Sequence, residues 1–140
     1  MPDQNLYTLT YVSIAEVGVD EGAALSLGAA AGIANAALDV TGLLLFNGVS
    51  FLQTLEGERG VVETLYARIE RDKRHHSVRT IHSTPIASRT FSGFAMKTSI
   101  VPPTDGPNAV IFTDLICDPK RLGSELLARY QCFIVLGTAV

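Results

Sequence analysis

The chain has 140 residues, a net charge of -3 and mean hydropathy of +0.27, enough apolar material for one domain with its own core. Basic residues are few and gather between Arg68 and Arg79, which argues against nucleic acid as the main partner. The two cysteines, Cys117 and Cys132, have no metal-ligand spacing, and no apolar run reaches the roughly 18 residues of a membrane span. With no signal-peptide pattern in MPDQNLYTLT, the expectation is a reduced, cytoplasmic protein.

Leu6 to Ser13 reads as a strand of β-branched and aromatic residues, with Tyr7, Leu9, Tyr11 and Ser13 on one face. Asp20 to Leu38 reads as a helix with Asp20 as N-cap. Ala24, Leu27, Ala31, Asn35 and Leu38 recur at helical spacing and form one stripe. Gly28 and Gly32 weaken that helix and leave room for another body to approach its backbone.

Val40 to Gly57 reads as a β-hairpin, with Asn47-Gly48 as its two-residue turn. In its second strand Val49, Phe51, Gln53 and Leu55 share a face, so an amide sits in the middle of an apolar surface. A buried amide group left unpaired costs about 1–3 kcal/mol, so Gln53 needs a partner.

Gly60 to Asp72 reads as a second helix with Val62, Leu65, Tyr66 and Ile69 inward and Glu56 as a cap. DKRHH at Asp72 to His76 reads as a solvated exit rather than a metal site. Ser77 to Ala87 and Phe94 to Val101 read as the fourth and fifth strands, the latter with Phe94, Met96 and Thr98 on one face. Further helices are expected over Ile111–Leu115 and Pro119–Leu136. The order β-α-β-β-α-β-β predicts a ferredoxin-like α+β sandwich over residues 1–101, with a helical extension, 102–140, packing on the sheet.

Tyr11, Asn35 and Gln53 come from two strands and a helix and offer a phenol, two amides and no charge. That set suits a flat, uncharged heterocycle; equally, the three satisfy one another or water.

Several segments in order resemble the BLUF family of blue-light sensors that use FAD. They are L-x-Y-x-S at Leu9–Ser13, Asn35, T-G-L-L-L-F at Thr41–Phe46, F-x-Q-x-L-E-G at Phe51–Gly57, D-x-R-H at Asp72–His75 and R-x-F-x-x-F-x-M at Arg89–Met96. The resemblance implies a flavin between the two helices. It implies that Tyr11 gives an electron and then a proton, that Gln53 bridges Tyr11 and the flavin, and that Asn35 holds the ring's polar edge. Met96 would answer Gln53 from the fifth strand, and Asp72, Arg74 and His75 would make the far-side contacts. The Gln53 amide would rearrange by rotation or tautomerisation. Phe94 replaces a common tryptophan, Ala34 a polar residue and Gly32 a basic one, so FMN or riboflavin stand beside FAD as occupants. On this reading the chain is not an enzyme; it is expected to signal to an effector protein, with its own copies as a further partner. A phosphatase on this fold would need a Gly-rich loop followed by Arg after the first strand, which is missing here. The remaining alternative is a flavin-free interaction module.

Overall fold

A computed structural model describes residues 5–100. Its elements run β1 (Leu6–Ala15), α1 (Glu21–Ala37), β2 (Thr41–Phe46), β3 (Ser50–Glu58), α2 (Arg59–Glu70), β4 (His75–Pro85) and β5 (Lys97–Ile100). The strands form one sheet in the order β4-β1-β3-β2-β5, with β5 parallel to β2 and the other neighbours antiparallel. This is the expected ferredoxin-like α+β arrangement. The expected C-terminal helices and both cysteines lie outside the described residues.

Alternation along the strands decides what each face meets. Tyr7, Leu9, Tyr11 and Leu55 pack with Val62, Leu65, Tyr66 and Ile69 of α2. Leu44, Phe46 and Phe51 pack with Ala24 and Leu27 of α1. The interior strand β2, between β3 and β5, is buried on both faces: Leu43, Leu44, Leu45 and Phe46 are at most 1% exposed. Burying each such side chain stabilises the fold by about 1.5–3 kcal/mol. On the opposite face of the sheet Thr10 and Thr54 share a hydroxyl–hydroxyl hydrogen bond of 2.7 Å.

Both helices start where side chains meet their free N–H groups. Asp20 Oδ1 accepts from the Ala23 N–H, as its N-cap role predicts. At α2 the cap is Glu58, which accepts from Gly60 N and Val61 N, and those bonds lower its carboxyl pKa. Glu56 is therefore not the cap; it is buried two residues earlier in β3, on the face opposite Gln53.

Four further expectations are corrected. At the hairpin, Asn47 Oδ1 accepts from Val49 N and Ser50 N, so the turn centres on Gly48-Val49 and Gly48 takes the positive φ of 95°. β5 begins at Lys97, after Phe94 and Met96, because the Ala95 carbonyl turns to Asn35. β4 begins at His75, inside the segment expected to be a solvated exit. Leu38, expected on the apolar stripe of α1, is 38% exposed, while Asn35 on that stripe is buried.

Candidate functional site

Strand pairing sets Tyr11 opposite Gln53, Gln53 opposite Leu44, and Leu44 opposite Thr98, so one row crosses β1, β3, β2 and β5. Tyr11 Oη donates to Gln53 Oε1. Gln53 Nε2 donates to Met96 Sδ at 3.5 Å. Asn35 Nδ2 donates to the Ala95 carbonyl at 3.4 Å. Tyr11, Asn35 and Gln53 are at most 3% exposed. The sequence-predicted set therefore converges, and two amides grip adjacent residues of the segment that leads into β5.

Between α1, α2 and this row lies a cavity of about 250 Å³. Tyr11, Gln53 and Asn35 supply its polar wall, and Leu44, Phe51 and Leu65 part of its apolar one. Asp72, Arg74 and His75 line the same cavity. Burial pushes the Tyr11 phenol far above its ordinary value, with smaller contributions from Tyr66 and Asp72. The phenol is therefore a neutral donor.

At the cavity's rim Arg74 grips Asp72 with two guanidinium nitrogens, Nε at 2.9 Å and Nη2. That charge-assisted pair, together with the Arg74 backbone N–H, holds the Asp72 carboxyl down at about 2, against the cost of its partial burial. His75 is 9% exposed. Its Nε2 donates to the Ile69 carbonyl at 2.6 Å, and in the neutral ring Nδ1 accepts from Ser13 Oγ at 2.7 Å. The solvated reading of this histidine is thus overturned by two partners, Ser13 far from it in sequence and Ile69 in the last turns of α2. His76 is exposed, as expected.

The family model described as "Sensors of blue-light using FAD", BLUF, matches residues 6–97. The chain belongs to the BLUF family. Residues 6–97 are a blue-light sensor domain that binds flavin. Its BLUF region is 38% identical over 89 residues to a photoactivated adenylate cyclase subunit beta of Euglena longa, covering 64% of this chain and 10% of that protein. The chain thus spans about a tenth of the curated relatives it matches. The dark-state structure of the BLUF protein BlrB superimposes with a TM-score of 0.66 at 32% identity, over 71% of this chain and 75% of that one. The BLUF structure of BlrP1 gives 0.78 at 28% identity, over 92% and 89%.

A BLUF flavin presents an uncharged ring with carbonyl and N–H edges, and the cavity fits it. Its inner wall carries a phenol and two carboxamides, and its ionised pair stands at the rim. Among the described residues no cluster of His, Cys, Asp or Glu could hold a metal, and no helix is long and apolar enough to cross a membrane.

Sequence reasoning passed over two features of this BLUF domain. One is the Ser13–His75 pair; the serine sits on the same strand face as Tyr11, which was its signal. The other is Glu56. Alternation places it beside Leu52 and Thr54 on a buried face, where a carboxylate needs several donors.

Proposed function

We propose that the orientation of one carboxamide, Gln53, is the light-dependent state of this domain. The observation that carries the reading is the pair of unlike partners at its two ends. Oε1 faces a donor, Tyr11 Oη, and Nε2 faces an acceptor, Met96 Sδ. A thioether accepts weakly and donates nothing. Exchanging the two ends of the amide therefore breaks the contact to Met96 while leaving Tyr11 a partner. Phe94 has no N–H with which to replace that contact.

Flavin, when bound, supplies blue-light absorption and an oxidising excited state. Tyr11 holds its proton at Oη against Gln53 Oε1 and is the electron donor of this proposal. Burial keeps that proton in place until the electron has left; an oxidised phenol is strongly acidic, and the proton then has one path, along the hydrogen bond to Gln53. Asn35 orients the ring edge, and Asp72, Arg74 and His75 hold the far side. We assign FAD as the occupant on the family's description. An open polar depression of about 530 Å³ adjoins the cavity through Asp72 and His75; Arg71 and Lys73 line it together with Glu16 and Glu70.

The changed Met96 contact reaches β5 and, through it, an effector. The cyclase relatives named above show one class of effector that such a domain serves. The test is spectroscopic. Protein loaded with FAD and exposed to blue light should show a reversible red shift of its flavin bands. A loaded protein without that shift would overturn the assignment. Extraction and chromatography of the native flavin would decide between FAD, FMN and riboflavin.

A further inference from the structure

The segment between β4 and β5 delivers Met96 to Gln53, and a buried carboxylate on the other side of β3 holds that segment. Glu56 is 1% exposed. Its Oε2 accepts from the Thr90 N–H at 2.7 Å. Its Oε1 accepts from the Phe91 N–H at 2.9 Å and from Thr41 Oγ1 at 3.0 Å. Arg89 closes the arrangement from the solvent side: it donates to the Glu56 carbonyl at 3.1 Å, to Thr41 Oγ1 at 3.0 Å and to Asp39 at 3.2 Å. Buried charge on this scale persists only where donors surround it.

Downstream of the clasp the chain has little freedom. Phe91 is 2% exposed, Phe94 N donates to the Phe91 carbonyl at 3.0 Å, and Gly42 N donates to the Phe94 carbonyl at 3.1 Å. Asn35 holds Ala95 and Gln53 holds Met96. Thr90, Phe91, Phe94, Ala95 and Met96 are thus each tied to β2, β3 or α1.

We infer that Glu56 is a positioning residue for the photoresponse: its carboxylate fixes Thr90 and Phe91 and thereby sets the Met96 contact that reports the state of Gln53. This rests on the roles given above to Gln53 and Met96. Glu56 touches neither, and it faces away from the cavity. Glu56→Gln keeps the size and shape but turns an NH₂ against a backbone N–H. One clasp bond is lost, and the segment is released by a factor of about five to ten in its local equilibrium.

The experiment compares dark-recovery rates after illumination in FAD-loaded parent, Glu56→Gln, Met96→Leu and the double variant. Glu56→Gln is expected to bind FAD and keep the red shift, with recovery changed about five- to tenfold. In the double variant recovery should match Met96→Leu alone, since the two act through one contact. Parental recovery in Glu56→Gln, or effects that multiply in the double variant, would overturn the inference. If Met96→Leu itself recovers like the parent, the reading of Met96 fails first, and the two failures are told apart. Amide hydrogen exchange in the unaltered chain covers the case where Glu56→Gln folds poorly. Thr90 and Phe91 amides should be protected at least about tenfold over free peptide, and unprotected amides there would sink the clasp.

Discussion

Tyr11 and Gln53 share one rung of the β1–β3 ladder, and the phenol of the first donates to the carboxamide oxygen of the second. Neighbouring positions in an antiparallel sheet lie close enough for side chains to meet without a long reach. The pair is thus positioned by the two most central strands it could occupy, and its geometry varies little with surface events.

Removing either partner should end the photoresponse without emptying the cavity. Tyr11→Phe keeps the ring and loses the donor. Gln53→Leu keeps most of the volume and leaves the Tyr11 hydroxyl buried without its acceptor, at a cost of about 1–3 kcal/mol. Both variants should bind flavin and show no reversible red shift in light-minus-dark absorption spectra. A shift that survives in either would remove the roles assigned here.

Met96→Leu isolates the other end of the amide. Leucine fills nearly the same volume but offers no sulfur acceptor, so the core cost stays below about 1.5 kcal/mol. The red shift should persist, because Tyr11 and Gln53 remain. The dark-recovery rate should change several-fold, because Gln53 Nε2 has lost the partner that distinguishes its two orientations. Single-exponential recovery traces at one temperature are the measurement.

Much of this site is legible without coordinates, and the reason is local. Gln53 stands in an alternating strand and Asn35 on a helical stripe, so period alone exposes both as polar groups in apolar company. His75 is different. Its neighbours Lys73, Arg74 and His76 are exposed, and local composition reads as solvent-facing. It is buried because Ser13, 62 residues away, and the Ile69 carbonyl at the end of α2 supply its two partners. The start of β5 fails for a similar reason. Phe94 to Ile100 has strand composition throughout, yet Asn35 from α1 takes the Ala95 carbonyl and delays the strand to Lys97. The hairpin turn moves by one residue because the Asn47 side chain binds two following N–H groups itself.

The Tyr11 phenol gives a prediction at high pH. Its folded value is raised, so its contribution to stability is complete below the unfolded value of 10 and falls as pH rises beyond it. Of the four tyrosines, Tyr11 should not ionise while the fold persists. Spectrophotometric titration of folded parent and Tyr11→Phe up to about pH 11 should therefore count the same number of ionising phenols. One fewer in the variant would show that Tyr11 titrates.

Asp72 gives the matching prediction at low pH. Its folded value of about 2 lies below the ordinary 3.8, so the stability it contributes is present above 3.8 and is lost as pH falls towards 2. The Arg74 side chain is 58% exposed, so solvent screens the pair and its worth is no more than about 1 kcal/mol. Denaturant midpoints for Asp72→Asn should fall less than those of the parent between pH 5 and pH 2.5. Equal losses would show that the pair contributes nothing to the folded state.

Gly28 and Thr98 supply the last test, at the contact of α1 with β5. A Cβ on Gly28 would stand 2.0 Å from Thr98 Oγ1 and 2.8 Å from its Cβ and Cγ2, so only glycine lets the helix lie this close to the strand. Gly28→Ala should therefore destabilise the domain by about 1–3 kcal/mol despite alanine's better helix propensity. Adding Thr98→Ala should return part of that loss, since the clash involves one side chain. Thr98 Oγ1 is also buried without a hydrogen-bond partner among the described residues. Thr98→Val keeps its shape and removes the unmet hydroxyl, so it should raise the urea midpoint, by up to about 1 kcal/mol in stability. Because Thr98 lies two residues beyond Met96, Gly28→Ala should also alter dark recovery, while Thr98→Val should leave it near the parental rate. A stabilised Gly28→Ala would show that α1 and β5 do not make the close contact on which this coupling depends.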